Sequence, residues 1–226
     1  MLSCSVSTIG GTMEKRESIL TIYDCEGTLQ VFSGMARAQA KKLGVPFEAT
    51  GQKALIPGMD KLICYTADGG KNVLLSGGNP GKDGCLELLQ SSQYFEDWQY
   101  NGEQVEWGQT PKNLSKRSPE IAVGLVDAFG PDRVAVFGDS EEDYILAFHL
   151  ARELEKRIPP EQRKHPLVVF FKLGDPNPAL QAVRDSKVPF IPVKNGFEAI
   201  AEIQKIFQLK PSTPEIVKTV SQNKRI

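Results

Sequence analysis

The sequence has few of the residues that bind soft metals or form covalent crosslinks. Its 226 residues include two histidines and four cysteines, and neither set has the spacing of a zinc site. No cysteine is followed by an arginine six residues later, so the cysteine-nucleophile loop of one class of phosphatases is absent. No export signal is evident, so reduced thiols are expected.

Long apolar runs and a strong net charge are also missing. No run reaches the roughly 20 residues of a membrane span, and the formal net charge is -1, so no global field attracts nucleic acid or lipid. The first residues lack the basic start and apolar core of a signal peptide. We expect no membrane span and no nucleic-acid partner. Cytoplasmic location is the default, and delivery elsewhere by a non-classical signal stays open.

What the sequence does contain is an alternation of apolar, β-branched runs with helical patterns. The chain is 40% hydrophobic and 24% charged, which are values typical of one globular domain. The alternation predicts an α/β fold, with a mostly parallel sheet and helices on both faces. We predict a flexible arm over 1–17, a domain over 18–208 and a mobile tail over 209–226. Strands are predicted at 19–23, 71–76, 133–137, 167–171 and 189–193, and helices at 34–43, 57–68, 82–92, 118–129, 142–157, 177–185 and 195–207.

The first predicted strand leads directly into an acidic turn, Asp24-Cys25-Glu26-Gly27-Thr28. A carboxylate there lies where open α/β sheets bind their ligands. On an extended chain Asp24 and Glu26 point the same way, so one could attack a substrate while the other transfers protons.

Three further positions carry polar groups at a strand end or a helix start. Ser76 and Gly77 follow the second apolar strand, and Lys116 precedes the helix start Ser-Pro-Glu-Ile. Asp139 and Asp143 follow the strand Val-Ala-Val-Phe in the pattern Gly-Asp-Ser-Glu-Glu-Asp. Lys112 competes with Lys116, but its distance from the helix start favours a solvated loop charge.

In this order, the four motifs resemble those of the haloacid dehalogenase-like (HAD) hydrolase superfamily, over about residues 19 to 206. The resemblance implies a Rossmann-like three-layer sandwich and a phosphatase. It implies that Asp24 is the nucleophile, forming an aspartyl-phosphate, and that Ser76, Gly77 and Lys116 bind the substrate's phosphoryl group.

The same resemblance implies a magnesium site. Asp24, the main-chain carbonyl of Glu26 and Asp139 would hold Mg²⁺, which prefers hard oxygen ligands and keeps several waters. Asp143 would support the metal through water or through the other ligands.

One position departs from the usual family pattern. Glu26 stands where most family phosphatases have an aspartate as general acid and base, although enolase-phosphatases of the superfamily have Asp-x-Glu-Gly-Thr. Because glutamate is one methylene longer than aspartate, it changes the reach of the proton donor, and we expect this to affect the rate and the choice of substrate.

The two places where the family inserts a cap domain have no room for a large one. We therefore expect a minimal cap and an open site, unless oligomerisation or the tryptophan-containing loop at 98–107 supplies a lid. The protein is expected to be a monomer or a weak oligomer. An open site favours a phosphoprotein, carrying phosphotyrosine or phosphoserine/threonine, over a small phosphometabolite. Two rival hypotheses are a catalytically weak binding protein and, less favoured, a dehalogenase or phosphonate hydrolase on the same fold.

Overall fold

The computed structural model describes residues 18–31, 54–76, 92–112, 114–174 and 188–207. Its centre is a five-stranded sheet in the order β4-β1-β7-β8-β9, and every neighbouring pair of strands is parallel. The strands are β1 (Ile19–Tyr23), β4 (Gly70–Leu74), β7 (Arg133–Gly138), β8 (Val168–Leu173) and β9 (Phe190–Val193). Two small antiparallel pairs are formed by β2 (Gln30–Val31) with β3 (Ala54–Leu55) and by β5 (Trp98–Tyr100) with β6 (Glu103–Val105).

Helices cover both faces of the sheet, as predicted. The helices are α1 (Met59–Gly69), α2 (Pro119–Phe129), α3 (Glu141–Arg157) and α4 (Gly196–Phe207). On one face, α1 and α4 contribute Met59, Ile63 and Ile203 to a buried cluster. On the other face, Leu125 of α2 and Leu150 of α3 belong to a second cluster. The fold is therefore the three-layer α/β sandwich expected from the alternating pattern.

The central strands are buried along their whole length, which explains why their sequences are continuous apolar runs. All residues of β1, β7 and β8 are buried. The rings of Tyr23, Phe137 and Phe171 stack across these three strands, with successive centroids 5.1 and 4.6 Å apart. This packing fixes the strand register, which pairs Tyr23 with Phe137 and Phe137 with Phe171.

The strand predictions are correct in number and order for the five strands of the sheet, and most bounds differ by one or two residues. The final strand, predicted as an edge, does lie at the edge of the sheet. The predicted helices 34–43 and 177–185, the helix 82–92 except for Ser92, the arm 1–17 and the tail 209–226 lie outside the described residues. In the part of the chain that the structure describes, no helix is both long and apolar enough to cross a bilayer.

The tryptophan-containing segment is a hairpin that belongs to the core. Trp98 is 3% exposed and lies in the cluster under α2 and α3, while Trp107 is partly buried against the cluster on the other face. Gly108 donates its N–H to the Leu74 carbonyl at 2.7 Å, which attaches the segment to the outer edge of β4. Trp98 is thus part of the protein interior instead of a lid.

Candidate active site at the carboxyl edge of the sheet

Asp24 lies at the point where the central strand ends. Its N–H donates to the Phe137 carbonyl at 2.9 Å, so the residue is still held against β7, and it is 8% exposed. The chain then turns, because Leu29 donates its N–H to the Cys25 carbonyl at 2.9 Å. The extended strand itself stops at Tyr23, and the shared direction of the Asp24 and Glu26 side chains stays a prediction.

Gly27 lets this turn pass directly over Asp139. Its φ is +73°, and a Cβ atom at this position would lie 2.3 Å from Asp139 Oδ2. Both features require glycine, since a side chain would be strained by the backbone and would collide with the carboxylate. The turn after β1 and the residue after β7 are consequently in direct contact.

Lys116 joins the site from the loop before α2. Its ammonium donates to Asp24 Oδ1 and, at 2.7 Å, to Asp143 Oδ1. The lysine is 6% exposed, and a tight turn in which Ser118 donates its N–H to the Ser115 carbonyl at 2.8 Å precedes the helix. Two carboxylates from separate elements therefore share one buried cation.

The start of α3 holds Asp143 in place. Ser140 Oγ accepts from the Asp143 N–H at 3.4 Å and donates to Asp143 Oδ2 at 2.6 Å, while the Ser140 N–H donates to the same oxygen at 3.1 Å. This is a capping box with aspartate in place of the usual glutamate. Both Asp143 oxygens are thus engaged, one by Lys116 and the other by Ser140.

The electrostatics of the cluster are those of crowded carboxylates. Burial raises the pKa of Asp24 to about 7; Lys116 opposes this rise, whereas Asp143 and Asp139 add to it. Burial also raises the pKa of Asp139. Burial alone would lower the pKa of Lys116, but the attraction of Asp24 and Asp143 outweighs it and raises that pKa above its ordinary value. The arrangement favours a cation beside Asp24 and Asp139.

The donor set fits a hard divalent cation. Asp24, Asp139 and Asp143 each offer a carboxylate oxygen, and these three atoms lie within 4.8 Å of one another. Each carboxylate oxygen keeps a lone pair beyond the hydrogen bond it accepts, so all three residues remain available as ligands. Mg²⁺ is bound in this way in proteins, with few carboxylates and several waters.

The other predicted site residues are Ser76, Glu26 and Gly77. Ser76 is buried at the end of β4, with its N–H directed at the Gly108 carbonyl at 3.4 Å, and Leu75 beside it donates to the Tyr23 carbonyl at 2.8 Å. Ser76 therefore lies near the end of β1. Glu26 is half-buried in the turn, and its side chain is not a member of the three-carboxylate cluster. Gly77 lies outside the described residues.

Two residues that sequence reasoning did not single out contribute to the site. Arg117 forms ion pairs with Glu141 at 3.7 Å and with Glu142 at 3.1 Å, which ties the Lys116 loop to α3. Lys172 is buried at the carboxyl end of β8. The sequence feature that could have identified Lys172 is its place directly after the apolar run over residues 167–171. Asp24 follows its own apolar run in the same way. Lys112 is exposed, as expected for a solvated loop charge.

No protein-family model matches the chain, and no curated protein sequence matches it significantly. Solved structures with a similar backbone include a haloacid dehalogenase-like hydrolase from Streptococcus pneumoniae, which is 12% identical in sequence and gives a TM-score of 0.48. The match covers 83% of this chain and 99% of that one. Another is a HAD-superfamily hydrolase of subfamily IA from Geobacter sulfurreducens, with 15% identity, a TM-score of 0.49 and coverage of 82% and 99%. The backbone of the chain is similar to those of HAD-type hydrolases.

Proposed function

We propose that the chain is a Mg²⁺-dependent phosphomonoester hydrolase of the HAD type. The observation that carries the proposal is the contact of buried Lys116 with Asp24 and Asp143 at the end of the central strand, beside Asp139. A phosphoryl group and an attacking carboxylate are both anions, so they can meet only where cations offset their repulsion. The four sequence motifs supply these groups in the order expected for this chemistry.

In the first step, a carboxylate oxygen of Asp24 attacks phosphorus and the bond to the ester oxygen breaks. Asp24 Oδ1 contacts Lys116, and Asp24 Oδ2 accepts from Thr28 Oγ1 at 3.3 Å, so the nucleophile is oriented on both sides. Protonated Glu26 gives its proton to the leaving oxygen. The product alcohol departs and Asp24 carries the phosphoryl group as an acyl phosphate.

In the second step, water attacks the phosphorus atom and Glu26 accepts its proton. The bond between phosphorus and Asp24 breaks, which restores the carboxylate and releases inorganic phosphate. Mg²⁺, when bound, supplies electrostatic stabilisation of the phosphoryl oxygens. Lys116 and the Ser76 hydroxyl bind the same oxygens from the protein side, and Gly77 adds a main-chain donor.

We favour a phosphoprotein, with phosphotyrosine or phosphoserine/threonine, as the substrate. Support comes from the short lengths of chain available for a cap and from the position of Trp98 in the core. The alternatives are a small phosphometabolite and a HAD-fold protein that binds a phosphorylated partner without useful turnover.

The test is phosphate release from phosphopeptides and small phosphate esters, measured with Mg²⁺ and with EDTA. We expect Mg²⁺-dependent release by the wild type and a loss of roughly a thousandfold or more in Asp24→Asn, since the nucleophile is removed. Asp60→Asn is the matched control, because Asp60 is an exposed carboxylate in α1 that pairs with Lys61. Equal release by both variants would exclude the mechanism, and no release by the wild type, with Mg²⁺ bound, would favour the binding protein.

A further inference from the structure

Lys172 is a second buried lysine at the carboxyl edge of the sheet. It is 5% exposed, and the strand register pairs it with Gly138, the residue just before Asp139. Its ammonium donates to the Leu173 carbonyl at 2.6 Å, which holds the charge at the end of β8. A buried ammonium therefore lies beside the strand that delivers one of the three clustered carboxylates.

The charge of Lys172 reaches this cluster. Burial raises the pKa of Asp139, and among the influences that lower this pKa Lys172 is the largest, ahead of Lys116. Charges in a partly buried site interact more strongly than in bulk water. Lys172 therefore contributes to the field in which any ion at the site is bound.

Its charge changes which ions the site prefers. Lys172 makes the site one unit charge more positive, both in the metal-free form and when a divalent cation is bound. A phosphate monoester, such as a phosphorylated side chain, carries about two negative charges near neutral pH. A phosphate diester carries one.

We propose that Lys172 is a specificity-determining residue, whose fixed positive charge weakens the binding of Mg²⁺ and strengthens the binding of a dianionic phosphoryl group. It thereby selects monoesters over diesters. The proposal rests on the proposed phosphatase function and concerns a residue outside the four motifs that support it. Lys172 acts through its field, without touching the substrate.

The test compares two ligands of opposite charge. Dissociation constants are measured by calorimetry for Mg²⁺ alone and for inorganic phosphate on the Mg²⁺-loaded protein, in wild type, Lys172→Met and Lys172→Arg. We expect Lys172→Met to bind Mg²⁺ at least about threefold more tightly and phosphate at least about threefold more weakly, because one unit charge is removed. Lys172→Arg should remain near wild type, since it retains the charge.

Arg133→Gln is the matched control. Arg133 is a buried cation at the amino end of β7, the opposite edge of the sheet, where it donates to the Pro166 carbonyl at 2.9 Å. Its loss should destabilise the fold without moving the two dissociation constants in opposite directions. Structural damage at Lys172 would weaken both ligands together, and this result, or no change in either constant, would overturn the proposal.

Two further measurements keep the outcome decisive. If Lys172→Met does not fold, Lys172→Gln replaces it in the same comparison. Independently of any variant, the wild type should bind inorganic phosphate at least about tenfold more tightly than monoanionic dimethyl phosphate. Equal binding of the two anions would overturn the proposed selectivity. Failure of the phosphatase proposal is distinguishable, because it would appear as absence of phosphate release by the wild type whatever the effect of Lys172 on binding.

Discussion

Asp24 is a buried carboxylate beside two others, and its burial makes the ionised form costly in the metal-free protein. Because the folded-state pKa is about 7, the folded chain holds this proton more tightly than the unfolded chain does. The stability contributed by the protonated group is fully present below the unfolded pKa near 3.8. It is lost as pH rises through about 7.

Asp24→Asn should therefore stabilise the metal-free protein at pH 8, because a neutral amide replaces a carboxylate that is costly to ionise. The gain in the free energy of unfolding should be larger at pH 8 than at pH 4, although Lys116 loses one of its two carboxylate partners. Urea unfolding in EDTA at both pH values measures it, with Asp60→Asn as the control for the loss of an exposed carboxylate. A variant less stable than wild type at pH 8 would contradict the electrostatic description.

Glycine can be required because the backbone has a positive φ or because a neighbouring atom leaves no space for a Cβ, and a comparison of Gly27 with Gly102 distinguishes these two reasons. Both have positive φ, +73° and +80°, but a Cβ at Gly102 would meet nothing within 4 Å, whereas at Gly27 it would collide with Asp139. Gly102→Ala should cost about 1 kcal/mol from backbone strain alone. Gly27→Ala should cost more and also abolish Mg²⁺ binding, as measured by urea unfolding and calorimetry. Equal costs with Mg²⁺ binding retained would show that the turn does not press on Asp139.

At the scale of secondary-structure elements, the two helices that border the site begin in different ways. Ser140 caps α3 through a side-chain bond to Asp143, while Ser118 before α2 makes no side-chain cap bond. Ser140→Ala should cost about 1 kcal/mol of stability, and Ser118→Ala less than about 0.5 kcal/mol. Urea denaturation compares the two, and similar losses would mean that the capping box adds nothing.

The strands and helices of the sandwich could be predicted because each follows a simple pattern. The central strands Ile19–Tyr23 and Arg133–Gly138 are continuous apolar runs, as buried parallel strands must be, and α2 has proline in its first turn. The local sequence does not specify the hairpin of β5 and β6, because Trp98 and Tyr100 are separated by a single polar residue in a strand of only three residues. Its packing on α2 depends on Gly124, where a Cβ would lie 2.6 Å from Tyr100, a contact that no local pattern shows.

At the scale of the whole molecule, the site exists only where distant parts of the chain meet. Asp24 and Lys116 are 92 residues apart in sequence, and Lys116 and Asp143 are 27 apart. A parallel sheet predicts that the strand ends followed by Asp24 and Asp139 share one edge, whereas Lys116 reaches that edge from the loop before α2. Lys172 could not be assigned, because whether a lysine at a strand end points to solvent or into the site depends on packing against its neighbours.

Since the three carboxylates converge only in the folded chain, Mg²⁺ should bind the native state and not the unfolded one. At a concentration one hundred times its dissociation constant, it should raise the free energy of unfolding by about 2.7 kcal/mol. The increment should grow between pH 6 and pH 8, because Mg²⁺ binds ionised Asp24 and protons compete below a pKa of about 7. Urea unfolding with Mg²⁺ and with EDTA at both pH values measures it. Asp139→Asn should reduce the increment strongly and Asp60→Asn should leave it intact; an equal increment in both variants would mean that Mg²⁺ acts elsewhere on the protein.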